Sequence, residues 1–176
     1  DLAALRRADA LVLPGDGAFA ATMAEVERSG LVPILRETVE RGKPLLGICI
    51  GMQLLFEESE EHGVHPGLGF LPGRVRRFEG DLPVPHMGWN RLRLRRAHPM
   101  LEGVPDGAHV YFVHSYYCDA PEEVVIASSD YGRDFPAIVG RGSVLGVQFH
   151  PEKSQEIGLR MVEGFVKMVE NARRAA

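Results

Sequence analysis

Cysteine is scarce in this chain: Cys49 and Cys118 are the only two among 176 residues. Two thiols do not make a disulfide framework, so a reducing compartment, the cytoplasm, is the expected location. Excess positive charge is also missing. With 20 Lys and Arg against 24 Asp and Glu, the net charge is −4, and nucleic acid, whose binding domains are usually strongly basic, is not an expected partner. No apolar run approaches the roughly 20 residues needed to cross a bilayer, so no membrane partner is expected either. Histidines such as His62, His65, His86, His98 and His109 show no zinc spacing, and neither a metal nor another cofactor is expected. Repeats, linkers and low-complexity tracts are lacking as well.

What remains is the composition of an ordinary soluble domain, 45% hydrophobic and 25% charged. The length suits one domain spanning residues 1–176. Ala10–Leu13 is a short apolar run closed by Pro14 and Gly15, which reads as a buried strand. Phe19, Met23 and Val26 follow at helical spacing, and 31–40 forms a second helical stretch. Leu45–Ile48 reads as another buried strand, and 52–58 as helical. This strand–helix alternation predicts an α/β fold: a mostly parallel central sheet flanked by helices. Downstream, 74–78, 91–95, 109–117, 124–128, 137–139 and 144–149 read as strands, adding an antiparallel set. Ile157, Met161, Phe165 and Met168 mark a terminal amphipathic helix.

Gly47-Ile48-Cys49-Ile50-Gly51 lies between an apolar strand and a helix. A nucleophile on so tight a turn is held in a strained conformation, and glycine on either side removes clashes that a bulkier residue would make. The following helix N-terminus favours the thiolate, the reactive form. The N–H of Ile50 is placed to stabilise an oxyanion. The competing reading is a buried structural cysteine, since free cysteine is among the most buried residue types.

A reactive thiol needs a base, and the base needs an acceptor that fixes its tautomer. The last predicted strand ends in Gln148-Phe149-His150-Pro151-Glu152. Pro151 favours an extended His150, and alternate residues of an extended segment share a side, so His150 and Glu152 point the same way. Parallel α/β sheets gather their sites at the carboxyl ends of strands, where Cys49 and His150 can meet. A histidine at a strand end is otherwise commonly a solvated residue. The arginines of 74–77 and 91–96 read either as a solvated strand face or as a docking edge. Trp89 fits a core position or a loop at an interface.

Pro14-Gly15-Asp16-Gly17, Gly47-Ile48-Cys49-Ile50-Gly51-Met52-Gln53 and Gly146-Val147-Gln148-Phe149-His150-Pro151-Glu152 resemble, in chain order, the three landmark motifs of class I (triad-type) glutamine amidotransferases, a flavodoxin-like fold. Within that family, Pro85-His86-Met87-Gly88-Trp89-Asn90, the stretch Tyr111–Tyr117 and Lys153-Ser154 are similar to the glutaminase subunits of imidazole glycerol phosphate synthases. The resemblance implies a Cys49, His150, Glu152 triad that forms a glutamyl thioester. It implies an oxyanion hole of Gly15, Asp16, Gly17 and Ile50, and a glutamine pocket lined by Gln53, His114, Ser115 and Tyr116. It further implies a heterodimer with a (β/α)8-barrel synthase subunit that takes up the ammonia, contacted by Tyr111, Lys153 and Trp89.

The family begins with a strand and a Gly-rich turn ahead of the region matched here, so one βα unit, about 30 residues, is expected to be lacking at the N-terminus. Two other readings stay open: the glutaminase of a different amidotransferase, and a stand-alone cysteine hydrolase of related fold.

Overall fold

Leu45 and Leu46 are neighbours in sequence and both buried, yet they belong to different cores. The same division separates Val144 from Leu145 and Val139 from Ile138. Successive strand residues point to opposite faces, so a sheet covered on both sides needs apolar residues at every position. The structure, a computed structural model, describes all residues from Asp1 to Ala176.

The chain runs α1 (Leu2–Arg7), β1 (Leu11–Leu13), α2 (Phe19–Arg28), α3 (Leu31–Glu40), β2 (Leu45–Ile48) and α4 (Ile50–Leu54). It continues through β3 (Glu58–Ser59), β4 (His65–Pro66), β5 (Arg74–Arg77), β6 (His86–Arg91) and β7 (Arg93–Leu94). Then come β8 (His109–His114), β9 (Tyr116–Asp119), β10 (Val125–Asp130), β11 (Asp134–Arg141), β12 (Val144–Val147) and α5 (Gln155–Ala175). Six strands form the main sheet in the order β1-β2-β12-β11-β10-β7. A four-stranded sheet, β4-β3-β5-β9, and the ribbon β6-β8 complete the molecule.

The α/β class holds, but the main sheet is mixed rather than mostly parallel. Only β1/β2 and β2/β12 pair in parallel; β12/β11, β11/β10 and β10/β7 are antiparallel. The reason lies in the connections: β10, β11 and β12 are joined by short turns, and a short turn can only reverse the chain. The parallel half carries the Cys49 and His150 segments.

On one face of the sheet, α2 and α3 pack with Met52 of α4 against Leu45, Val139 and Val144. Phe19, Met23 and Val26 are the buried face of α2, and Gly30, at φ 74°, turns the chain into α3. Each such side chain contributes about 1.5–3 kcal/mol by leaving water. On the other face, Met161 and Phe165 of α5 pack with Leu46, Ile138 and Leu145. At the free edge of the main sheet, Val12 of β1 is 52% exposed.

Three expected elements are shorter than the pattern predicts. The helix expected over 52–58 stops at Leu54: the carbonyls of Leu54 and Leu55 accept from Leu68, Phe70 and Leu71 instead of continuing the helical ladder, and the chain passes into β3. The strand over 91–95 is interrupted by Leu92, which turns into the core between β6 and β7. The aromatic run 109–117 is two strands: β8 pairs with β6, β9 pairs with β5, and Ser115 is the break between them. The arginines read as a solvated face or docking edge are largely engaged in ion pairs: Arg74 with Glu58 and Glu60, Arg76 with Glu60 and Asp119, Arg93 and Arg95 with Asp134.

Helix α5 lies so close to the turn after β12 that a Cβ on Gly158 would stand 1.9 Å from the Pro151 carbonyl oxygen. Gly158→Ala is therefore expected to lower unfolding stability by about 1–3 kcal/mol, the usual cost of overpacking, and to displace the His150–Glu152 turn. Urea denaturation measures the first effect.

Candidate active site

Cys49 follows β2 directly and opens α4, with φ 55° and ψ −113°. A side chain at positive φ is strained by about 1–3 kcal/mol and persists only where the surroundings enforce it. The surroundings do so through close approach. A Cβ on Gly47 would sit 2.6 Å from the Gly51 carbonyl oxygen, and one on Gly51 would sit 1.7 Å from the Leu13 carbonyl oxygen. The elbow thus presses against the end of β1, and only glycine permits it. The Cys49 N–H donates to the Val147 carbonyl at 2.8 Å, tying the elbow to β12.

His150 comes from the end of β12. Its N–H donates to the Tyr111 carbonyl at 3.0 Å, and the Ser154 hydroxyl donates to the His150 carbonyl at 2.6 Å. The same hydroxyl accepts from the Tyr111 N–H at 3.0 Å. The backbone of the histidine is thus clamped between β8 and the start of α5. His150 Nδ1 lies 2.7 Å from Glu152 Oε1. An ionised carboxylate only accepts, so Nδ1 carries the proton and Nε2 is left with a free lone pair.

Cys49 and His150 line one cavity of about 280 Å³, together with Gln53, His114, Ser115 and Tyr116. Asp16, Gly17 and Ile50 border the same cavity. Gly15 packs beside the elbow, where a Cβ would meet Ile50 Cβ at 2.8 Å. Pro14, Gly15, Asp16, His150, Glu152 and Lys153 line a second, wider cavity of about 570 Å³ that shares Asp16 and His150 with the first. Lys153 Nζ lies 5.9 Å from the Tyr111 ring centroid, and Trp89 meets the same ring edge-on at 6.0 Å. Trp89 is 48% exposed and Met87 beside it 62%, so the tryptophan belongs to an apolar surface patch and not to the core.

The thiol behaves differently from the expectation of a ready thiolate. Burial pushes Cys49 up to about 11, and Asp16 and Glu152 add to the rise; the Ile50 N–H and the Gln148 amide oppose it. Desolvation outweighs these two donors because the sulfur is nearly dry. Its one contact to a carbonyl, Val113 O at 3.9 Å, is to an acceptor, which again suits the neutral thiol.

Polar partners in the cavity are few and directed. The Gln53 side chain is buried, and its Nε2 donates to the Tyr116 carbonyl and to Gln148 Oε1, both at 3.2 Å. Its Oε1 has no partner at all. His114 offers nothing to a ligand: Nδ1 donates to the Tyr116 carbonyl at 2.8 Å and Nε2 faces His86 Nδ1 at 2.9 Å. It forms the wall. Burial holds His86 down at about 4 and His114 at about 3, the backbone bond to Tyr116 acting against the shift in His114.

Glu61 and Gln148 escaped the sequence reading. Glu61 lines the cavity and accepts the Phe19 N–H at the start of α2 at 3.0 Å, but it sits in an irregular stretch with no motif. Gln148 stood inside the His150 motif and alternates with it along the strand, which was the available signal. No group of three or more His, Cys, Asp or Glu is arranged to hold a metal ion. No helix is long and apolar enough to cross a membrane.

A strained cysteine turn, a histidine bonded to a carboxylate and a small polar cavity are the parts that thiol-dependent acyl transfer requires. The glutamine amidotransferase class-I profile matches residues 3–168, and the chain belongs to that family. Its relatives within the family include the imidazole glycerol phosphate synthase subunit HisH of Bacillus cereus strain G9842, 52% identical over 93% of this chain and 78% of that protein. HisH of Streptococcus gordonii is 54% identical, over 95% of this chain and 82% of its own length. Among solved structures, a glutamine amidotransferase aligns with TM-score 0.69 and 25% identity over 92% of this chain and 79% of its own. The glutaminase domain of Trypanosoma brucei CTPS with bound acivicin aligns with TM-score 0.65 and 19% identity, over 94% of this chain and 74% of that one.

Two measurements follow from the charges. With its titration near 11, Cys49 is a neutral thiol in the free protein at pH 7 to 8, and its alkylation by iodoacetamide should still be accelerating at pH 10, without the plateau of an activated cysteine. Mass spectrometry of the Cys49 peptide reads this. His86 and His114 titrate far lower folded than unfolded, so the unfolded chain binds more protons below about pH 6.5. Their contribution is complete above that value and is lost as the pH falls toward 4, at up to about 1.4 kcal/mol per pH unit for each histidine. Replacing His114 by Gln should flatten that slope in urea titrations run between pH 6 and 4.5.

Proposed function

We propose that this chain is the glutaminase subunit of an imidazole glycerol phosphate synthase. It hydrolyses glutamine through Cys49, His150 and Glu152 and passes ammonia to a (β/α)8-barrel synthase subunit in a cytoplasmic heterodimer of histidine biosynthesis. The observation that carries the reading is the pairing of a cysteine at φ 55° with a histidine whose Nδ1 is held by Glu152, both lining one cavity. The HisH relatives support the assignment to that synthase.

The chemistry follows from the geometry. Glutamine enters with its carboxamide at the sulfur. The Cys49 proton goes to His150 Nε2 as Sγ bonds to the carboxamide carbon, and the imidazolium is stabilised by Glu152. The Ile50 N–H and the Pro14–Gly17 loop stabilise the oxyanion; one such donor is worth about 10²–10³ in rate. The intermediate collapses with the C–N bond breaking, and His150 returns its proton to the departing ammonia. Water then attacks the glutamyl thioester with His150 again as base, releasing glutamate and restoring the thiol. No cofactor is needed.

Substrate recognition uses what the cavity leaves open. Gln53 Oε1 and the Glu61 carboxylate are acceptors suited to the α-ammonium group of glutamine. Ser115 and Tyr116 form the adjoining rim. Trp89, Tyr111 and Lys153 would meet the synthase subunit beside the wider cavity.

In the complex with its synthase subunit, Cys49→Ala should reduce glutamine-dependent product formation by at least about 10³-fold. Synthesis from added ammonium salt should stay within about twofold, because the barrel does that chemistry. Loss of both activities contradicts separate sites. Failure of the wild-type gene to rescue a histidine auxotroph lacking this subunit contradicts the pathway.

A further inference from the structure

We propose that Gln148 is a positioning residue for glutamine hydrolysis: its amide carbonyl holds Gln53 with Oε1 toward the cavity, and its amide N–H stabilises the Cys49 thiolate as it forms. The inference rests on the reading of Cys49 as nucleophile.

Gln148 is completely buried two residues before His150, and its backbone N–H is used by the Ala137 carbonyl at 2.9 Å. Its side chain lies between two others. Oε1 is 3.2 Å from Gln53 Nε2, and Nε2 is 3.9 Å from Cys49 Sγ. The direction of each bond is dictated by one carbonyl. Tyr116 O can only accept, so the Gln53 atom 3.2 Å from it must be the nitrogen. That nitrogen needs an acceptor on Gln148, so the Gln148 nitrogen faces the sulfur.

The same carbonyl orders the other side of the network. Tyr116 O takes the His114 Nδ1 proton, so His114 Nε2 takes the His86 Nδ1 proton, and His86 Nε2 accepts from Asn90 Nδ2 at 3.2 Å. A buried hydrogen-bonded chain thus runs from Asn90 on β6 to the nucleophile, with no freedom to flip an amide.

A buried amide that served only to fill space would cost more than a leucine or methionine of the same size. What distinguishes Gln148 is the acceptor it faces. A neutral thiol is a weak acceptor, whereas a thiolate makes a charge-assisted bond. The donor is therefore under-used at rest and rewarded as charge develops on sulfur, which is the condition for an interaction to accelerate a step. The charges around the sulfur favour a donor there, beside the Ile50 N–H. Asp16 and Glu152 both oppose ionisation, and the buried Cys118 offers no compensation. His150 stands on the cavity rim to receive the proton.

Two variants test the idea in the complex with the synthase subunit, with kcat and KM for glutamine followed from pH 5.5 to 9 and Cys49 alkylation by iodoacetamide measured at pH 8. Gln148→Met removes both donor and acceptor: kcat should fall about 10²-fold, alkylation should slow about tenfold, and KM should rise as Gln53 loses its restraint. In Gln148→Glu, a protonated carboxyl both donates to sulfur and accepts from Gln53, whereas an ionised one only accepts. That variant should show a descending limb in kcat as pH rises, absent from the wild type, with KM nearly constant. Should Gln148→Met fail to fold, the pH profile of Gln148→Glu decides alone. Alkylation and kcat within twofold of wild type in Gln148→Met, or a Gln148→Glu profile parallel to wild type, overturn the inference. Inactive Cys49→Ala with unaltered Gln148 variants leaves the nucleophile standing and removes only Gln148; active Cys49→Ala removes both.

Discussion

The packing of the elbow against the end of β1 is the constraint on which the site depends. Cys49 is held at φ 55° by the approach of Gly51 to the Leu13 carbonyl and of Gly47 to the Gly51 carbonyl. The strain, about 1–3 kcal/mol, is small against the apolar burial around it. Leu45, Leu46, Met52 and Leu54 are each almost wholly out of water and contribute about 1.5–3 kcal/mol apiece. The parallel pairing β1-β2-β12 brings the elbow and His150 to one rim, because all three strands end on the same side. The antiparallel half of the sheet contributes to the core and leaves that rim alone.

That same burial opposes the chemistry. A dry sulfur is selective and protected, but its proton is held tightly, near 11. On the proposed mechanism, activation comes from groups whose interaction grows with charge: the imidazole, the Ile50 N–H and the Gln148 amide. Ligand or partner binding that expels the remaining water and adjusts the Pro14–Gly17 loop would alter the balance through differential contacts with the two charge states.

Much of the fold was legible where sequence period and burial coincide. Phe19, Met23 and Val26 marked α2 because a helix buries every third or fourth residue. Leu45–Ile48 marked β2 because a strand covered on both faces is apolar throughout. The period failed where tertiary context overrode it. Leu54, Leu55 and Phe56 continue an apolar pattern, but the Leu54 and Leu55 carbonyls bond to the 68–71 segment, so α4 ends early. The run 109–117 reads as one strand, yet Ser115 lets its halves join different partners. The cysteine turn and the His-Pro-Glu segment stood out because each is a short, distinctive spacing, and the structure brings Cys49 and His150 to one cavity. Glu61 did not stand out, since its place at the cavity depends on a contact with α2 across 42 positions of sequence.

The surface patch and His150 are close enough to share a backbone. Trp89 and Lys153 both lie against the Tyr111 ring, while the Tyr111 carbonyl takes the His150 N–H and the Tyr111 N–H is bonded by Ser154. Lys153 itself follows Glu152. A protein docking on Trp89 and Lys153 would press on β8 and on the turn that holds the imidazole, without touching the sulfur. On the same β6 strand, Asn90 begins the hydrogen-bonded chain that ends at Cys49. Two sets of contacts, one through the clamp on His150 and one through His86, His114 and the two glutamines, therefore lead from a single ribbon to His150 and Cys49.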